Sequence, residues 1–177
     1  LLVLNRANTY QGDTTVIGKD GAAQVEVDVN ATGAFGLASS KITVNHQASV
    51  NFNSSAQAET HQFILDDATL NFNDSASAAS SNTQATNGAV VNLYDTAQGG
   101  QANFTLAADT SMNLHDQSNG GSAVINNSGL VTFADTAQGE GTTIANNSGA
   151  IVDVSAVQGA TTIGSLSGAG DVELGSA

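Results

Sequence analysis

The feature that most constrains this 177-residue chain is a triplet, one polar residue between two apolar ones, returning at a nearly fixed interval. It reads Val50-Asn51-Phe52, Leu70-Asn71-Phe72, Val91-Asn92-Leu93, Met112-Asn113-Leu114, Val131-Thr132-Phe133, Val152-Asp153-Val154 and Val172-Glu173-Leu174. The central residues stand at 51, 71, 92, 113, 132, 153 and 173, so the successive spacings are 20, 21, 21, 19, 21 and 20. Alternation of this kind has the period of a strand, not of a helix. A weaker strand precedes each triplet, with apolar markers at Val44, Leu65, Ala85, Leu106, Ile125, Ile144 and Ile163. Polar bends separate the two, most plainly Asn126-Asn127-Ser128-Gly129 and Asn146-Asn147-Ser148-Gly149. Their residues suit left-handed or side-chain-bonded backbone. After the triplet, Asp-Thr-Ala-Gln-Gly occurs twice, at 95–99 and 135–139.

Two or three short strands recurring in this way cannot bury an apolar face alone, so neighbouring units must cover it from above and below. The expected fold is therefore all-β, a parallel β-helix with coils of about 20 residues. Eight or nine coils at about 4.8 Å each would make a rod on the order of 40 Å long. A propeller needs four strands and roughly 40 residues per unit, and a leucine-rich repeat needs a denser Leu pattern. The core must be thin. Trp is absent, aromatic residues make up 5% of the chain, and Val, Leu, Ile and a few Phe have to fill each layer. With no Pro, no strand loses a backbone donor.

Charge narrows the partners. Sixteen acidic residues face only Arg6, Lys19 and Lys41, for a net charge of -13. A nucleic-acid partner is excluded, because phosphate binding needs Lys and Arg. Attraction to an anionic lipid surface fails for the same reason. No stretch approaches the length of a membrane helix, so direct membrane insertion of this segment is not expected. No signal-like segment opens the sequence. Leu1 reads as the middle of a strand, which leads us to expect a piece of a longer protein. Cysteine is absent and gives no indication for or against export.

Both ends resemble one family. Leu2-Val3-Leu4-Asn5-Arg6-Ala7-Asn8-Thr9-Tyr10-Gln11-Gly12-Asp13-Thr14-Thr15-Val16 resembles the autotransporter-associated β-strand repeat, a Leu-rich strand followed by Gly-Ala-Asn-Thr-Tyr-Thr-Gly-Gly-Thr-Thr. Arg6 stands where Gly is usual, and Gln11 and Asp13 replace Thr and Gly. Ile163 to Gly175 is similar to the closing strand of such modules, and the Asn-Asn-Ser-Gly units are similar to the arrays between them. The resemblance spans nearly the whole chain, with residues 76 to 87 too degenerate to contribute. It implies one β-helix segment, 1–177, of a longer passenger: a repeat strand region at 1–30, a stacked array at 31–160 and a closing strand at 161–177. It further implies a right-handed β-helix secreted by a Gram-negative type V (autotransporter) system. Such a passenger is displayed at the cell surface and anchored through a C-terminal outer-membrane β-barrel. Adhesins, aggregation factors and virulence proteins use this scaffold, as do proteases with inserted domains. The implied partners are a host-surface glycan or protein, or another passenger.

Several residues invite a chemical role. Asp74, Asp95, Asp116 and Asp135 each fall three residues after the centre of a triplet, so they should stack along one edge. Stacked carboxylates repel and could recruit a cation. They could equally end their strands as turn residues, and Ser54 at the equivalent place favours that. Asn51, Asn71, Asn92 and Asn113 should form an outward row, a solvated face or a binding face. Gly168-Ala169-Gly170-Asp171-Val172-Glu173-Leu174 is similar to a calcium-binding nonapeptide, but such sites need consecutive copies. His46, His61 and His115 lack zinc-ligand spacing, and His115-Asp116 cannot act as a dyad because adjacent strand residues face opposite sides. No Gly-x-Ser-x-Gly elbow and no Cys nucleophile are present. Asn-x-Ser/Thr triplets such as Asn103-Phe104-Thr105 follow from composition.

No catalytic residue, metal ligand or cofactor is therefore assigned. The expected function is a non-catalytic passenger segment serving as stalk, adhesin or self-association surface. Two alternatives are a polysaccharide-processing β-helix enzyme fragment and a calcium-stabilised module. The first of these would need cations or paired acids beside sugar-stacking aromatics, and no Lys or Arg follows Lys41.

Overall fold

The computed structural model describes residues 1–19 and 24–175, and among them are strands, turns and bends but no helix. The strands are numbered β1 to β17 in chain order. The odd-numbered ones are β1 (Leu2–Leu4), β3 (Glu26–Val29), β5 (Ser49–Phe52), β7 (Thr69–Phe72), β9 (Val90–Leu93), β11 (Ser111–Leu114), β13 (Leu130–Asp135), β15 (Ile151–Val157) and β17 (Asp171–Glu173). The even-numbered ones are β2 (Thr14–Ile17), β4 (Lys41–Asn45), β6 (Gln62–Asp66), β8 (Asn82–Thr86), β10 (Asn103–Leu106), β12 (Val124–Asn127), β14 (Thr143–Asn146) and β16 (Ser165–Gly168). Odd strands form one nine-stranded sheet and even strands an eight-stranded one, each strand pairing with those one coil away. The pairings are parallel, for example Val50↔Leu70↔Val91 in the first sheet and Phe63↔Thr83↔Phe104 in the second. This is a parallel β-helix.

A third wall closes each coil between the odd strand and the following even one. It is one residue wide, the row of parallel bridges Gln57↔Ser77↔Gln98↔Asn119↔Gln138. Turning three times per coil requires left-handed backbone at the corners. Ser54, Asp74, Asp95, Asp116 and Asp135 supply it after the odd strand, with φ between 55° and 59°. Glu59, Ala79, Gly100, Gly121 and Glu140 supply it before the even strand. Asp67, Asn87 and Gly149 are among the residues that supply it before the next coil. Asn, Asp and Gly tolerate this region best, which is why they recur at coil spacing.

Inward side chains stack into columns. Val50, Leu70, Val91, Met112, Val131 and Val152 make one; Phe52, Phe72, Leu93, Leu114 and Phe133 make the next, all buried. Phe52 lies flat on Phe72, with centroids 5.2 Å apart and planes at 18°, and meets Phe63 of the opposite sheet edge-on at 5.8 Å. Where the narrow wall meets the sheets the interior has room only for methyls, and Ala56, Ala76, Ala97 and Ala137 are buried there. Each buried large side chain contributes about 1.5–3 kcal/mol, and because every column crosses many coils, neighbours depend on one another.

The apolar markers of the second strand fall in more than one column: Val44, Leu65, Ala85 and Leu106 align with Asn127 and Asn146. Ile125 and Ile144 instead align with Phe63, Thr83 and Phe104, two residues earlier. Ile163 precedes β16, whose inward residue in that column is Leu166. Residues 76 to 87, degenerate in sequence, are structurally regular. Ala76 and Ala78 are buried, Ser77 bridges, and β8 pairs on both sides. A β-bulge between Thr132 and Ala134 shifts the register of β13 on β15.

Candidate functional site

The four aspartates stack as their spacing predicts, and their hydrogen bonds show what they do. Asp74 Oδ2 accepts the main-chain N–H of Ser54 at 2.8 Å. Asp95 Oδ2 accepts that of Asp74 at 3.0 Å, Asp116 Oδ2 that of Asp95 at 3.0 Å, and Asp135 Oδ2 that of Asp116 at 3.1 Å. Each recipient N–H belongs to a left-handed corner residue, and the carboxylate one coil on satisfies it. Beside three of the four carboxylates a hydroxyl completes the clamp, Asp116 being followed by Gln117. Ser75 Oγ donates to the Ser54 carbonyl at 2.9 Å, Thr96 Oγ1 to the Asp74 carbonyl at 2.9 Å, and Thr136 Oγ1 to the Asp116 carbonyl at 2.8 Å.

Every residue of Asp-Thr-Ala-Gln-Gly now has a physical reason. Asp and Thr hold the N–H and C=O of one corner residue in the preceding coil. Ala97 and Ala137 fill the core at the narrow wall. Gln98 and Gln138 fold back to the carbonyls of Thr96 and Thr136 at 2.9 and 3.3 Å. A Cβ on Gly99 would run into the carbonyl oxygen of Gly120, and one on Gly139 would lie 2.6 Å from that of Thr162. Among the described residues no group of three or more His, Asp or Glu side chains is placed to hold a metal ion.

The outward asparagines form a second ladder. Asn71 Nδ2 donates to Asn51 Oδ1 at 2.8 Å, Asn92 to Asn71 at 2.8 Å, and Asn113 to Asn92 at 2.9 Å. The row runs in one direction and ends on carboxylates, where Asn51 Nδ2 donates to Asp28 Oδ1 at 2.9 Å and Glu26 Oε1 at 2.6 Å. A chain of amides terminated by anions polarises cooperatively. Although these side chains leave the core, stacking covers them, and Asn51 and Asn92 keep only 8% of their surface exposed. A parallel row, Asn73 to Asn53 to Asn30 to Asn5, follows the strand ends at 2.8, 3.0 and 2.8 Å. In that position Tyr94 and His115 come next, stacked at 5.0 Å and 11°. His115 therefore packs on a tyrosine, while Asp116 clamps the neighbouring corner.

An inward pair was not foreseen. Asn127 and Asn146 are buried in the column that elsewhere holds Val44, Leu65, Ala85 and Leu106. Asn127 Nδ2 donates to Asn146 Oδ1 and to the Ile151 carbonyl, both at 2.9 Å, while its Oδ1 accepts the Gly129 N–H at 3.0 Å. Asn146 Nδ2 donates to the Asp171 carbonyl at 2.9 Å. The bends are side-chain-bonded, as their composition predicts, but the bonding runs through the interior. Gly168 and Gly170 belong to the same device, since a Cβ on either would strike Asn146. That crowding accounts for the glycines of the nonapeptide-like stretch.

His61 is the one histidine that reaches the core, with 1% of its surface exposed. It stands edge-on to Phe35 and Phe63, its Nδ1 is 3.2 Å from Ser40 Oγ, and Glu59 lies 3.8 Å from Nε2. Burial lowers its pKa below the ordinary 6.5, outweighing the Ser40 main-chain hydrogen bond and the Glu59 charge, which raise it. His46 occupies a left-handed corner at φ 53°. Nothing in the sequence marks His61 as the buried one, because its column otherwise carries small residues such as Ser40 and Ser81.

Comparison with known proteins finds no family model, no curated protein and no solved structure that matches this chain.

Proposed function

We propose that this chain is a non-catalytic structural segment of a secreted, surface-displayed autotransporter passenger, acting as stalk and as adhesive or self-association surface. The observation that carries the reading is the use made of the repeated polar groups. The Asp, Thr and Asn ladders hold coil to coil, and their outer edges make long, regular rows of amide and carboxylate oxygens. Rows of that kind suit a partner with many hydroxyls or amides, a host-surface glycan or protein or another passenger. Export through an outer-membrane β-barrel belongs to the same reading and follows from the repeat resemblance at the two ends.

The test is binding of the purified chain to cells, to arrayed glycans and to itself. Retention on any of them supports an adhesive surface, and retention on none leaves a stalk. Release of new sugar ends from a polysaccharide would overturn the non-catalytic reading. A melting temperature that rises with calcium and falls with EDTA would replace it with the ion-stabilised module.

A further inference from the structure

Asn-Gly occurs twice in the chain, at 87–88 and 119–120. In this dipeptide an asparagine side chain is most open to attack by its own backbone, because glycine puts no Cβ beside the attacking nitrogen. The two pairs sit in opposite surroundings. Asn119 is half-buried and Gly120 buried. The Gly120 N–H donates to the Gln138 carbonyl at 2.8 Å, and Asn119 Oδ1 accepts the Gly121 N–H at 2.7 Å. Nucleophile and electrophile are both tied there. Asn87 and Gly88, in contrast, are exposed and form the left-handed corner between β8 and β9, with φ of 54° and 79°. Among the described residues the Gly88 N–H has no partner, and nothing lies within 4 Å of its Cβ position. One bond closes the turn, from the Ala89 N–H to the Thr86 carbonyl at 3.1 Å. The Asn87 side chain reaches one coil back, where Nδ2 donates to Asp66 Oδ1 at 2.6 Å. Asp67 is the corresponding left-handed residue of that coil.

We propose that Asn87 is a site of spontaneous deamidation and that its product unfastens this corner from the coil before it. The Gly88 nitrogen, giving up its proton, attacks Asn87 Cγ; the Cγ–Nδ2 bond breaks, and ammonia leaves with that proton. Water then opens the five-membered imide. Addition at Cγ gives aspartate, and addition at the main-chain carbonyl gives isoaspartate, whose backbone runs through the former side chain. To bring the nitrogen over Cγ the corner has to swing, and only the Ala89 bond to Thr86 resists. Freeing Gly120 would instead require local opening of the narrow wall. Either product carries a carboxylate where an amide donated to Asp66. The bond across the coils is lost, and like charges at 66, 67 and 87 repel. The inference concerns this corner alone and is independent of the adhesive reading.

The test holds the folded chain at mildly alkaline pH and follows it by peptide mapping, with isoaspartyl methyltransferase to count isoaspartate. Asn87 should gain the mass of an amide-to-acid change roughly tenfold or more faster than Asn119. In urea, where the fold protects neither, the two should convert at similar rates. Asn87→Gln should remove the fast conversion, because the longer side chain must close a six-membered ring. Asn87→Asp, the normal product made directly, should melt at a lower temperature than the unmodified chain, and added salt should narrow the gap. Asn119 converting as fast as Asn87 in the folded chain overturns the assignment, as does an Asn87 left unchanged there. An Asn87→Asp variant as stable as the unmodified chain overturns the role given to the product.

Discussion

Asp95 accepts the main-chain N–H of Asp74, one coil earlier, at 3.0 Å, and Thr96 donates to the carbonyl of the same Asp74 at 2.9 Å. Two adjacent side chains thus grip both polar groups of one left-handed residue; in the next coil Asp116 accepts the N–H of Asp95 itself, while the main-chain N–H of Gln117 donates to the Asp95 carbonyl at 2.8 Å. The carboxylate serves coil stacking, which explains its recurrence without assigning it any chemistry on a substrate.

Asp95→Ala should therefore destabilise the chain by about 2 kcal/mol, the loss of a hydrogen bond to a charged acceptor plus the left-handed backbone forced on Ala. Asp95→Asn, which accepts the same N–H and tolerates φ 55°, should cost well under half of that. Urea denaturation of the two variants checks the difference. Equal losses would show that charge, not turn geometry, matters.

Asn92 holds the middle of the outward ladder. Asn92→Val should cost roughly 1–3 kcal/mol, because it strands the Asn71 carbonyl and the Asn113 amide on a largely covered face. The double variant with Asn113→Val should cost less than the two single changes added together, since both remove the same bond. Strict additivity in a double-mutant cycle would mean that the amides do not act as a row.

Acid should weaken the fold through His61. Its folded pKa lies below the ordinary 6.5, so the unfolded chain takes the proton more readily. The stability tied to neutral His61 is complete above about pH 6.5 and declines as pH falls from there to the lowered folded value. In an NMR titration the His61 ring should show a midpoint below 6.5, and His61→Phe should flatten the loss of stability in that window. A midpoint above 6.5 would mean that Glu59 outweighs burial.

Gly99→Ala should destabilise by about 1–3 kcal/mol, because the added methyl meets the rigid Gly120 carbonyl of the next coil. Gly88→Ala is the informative control: it sits at a left-handed corner, φ 79°, with open space around it. Its cost is then backbone strain alone, near 1 kcal/mol. Thermal melts that rank the control as the worse variant would contradict the close packing of the narrow wall.

Much of the architecture was legible because its signals are local. The triplets at 50–52 and 70–72 declare strands by alternation, and their spacing declares the coil. The outward direction of Asn71 follows from the inward direction of Leu70 and Phe72. The corner role of Asp95 was legible as a turn, since Ser54 substitutes for it. Its bond partner was not, because that N–H lies 21 residues away and only the stacking register brings it near.

By itself, then, the sequence determined a parallel β-helix, the length of its coils and the face that each residue of the strong strands takes. The period-2 pleat and the 20-residue return are written in composition and spacing. Tertiary structure alone decided how neighbouring coils are aligned. A slip of two residues leaves every side chain on the same face, so alternation cannot report it. For that reason Asn127 and Asn146, rather than Ile125 and Ile144, continue the column of Leu65 and Leu106. The same alignment buries His61 beside Phe35, points the asparagine row at Asp28 and Glu26, and sets each aspartate over the corner it holds.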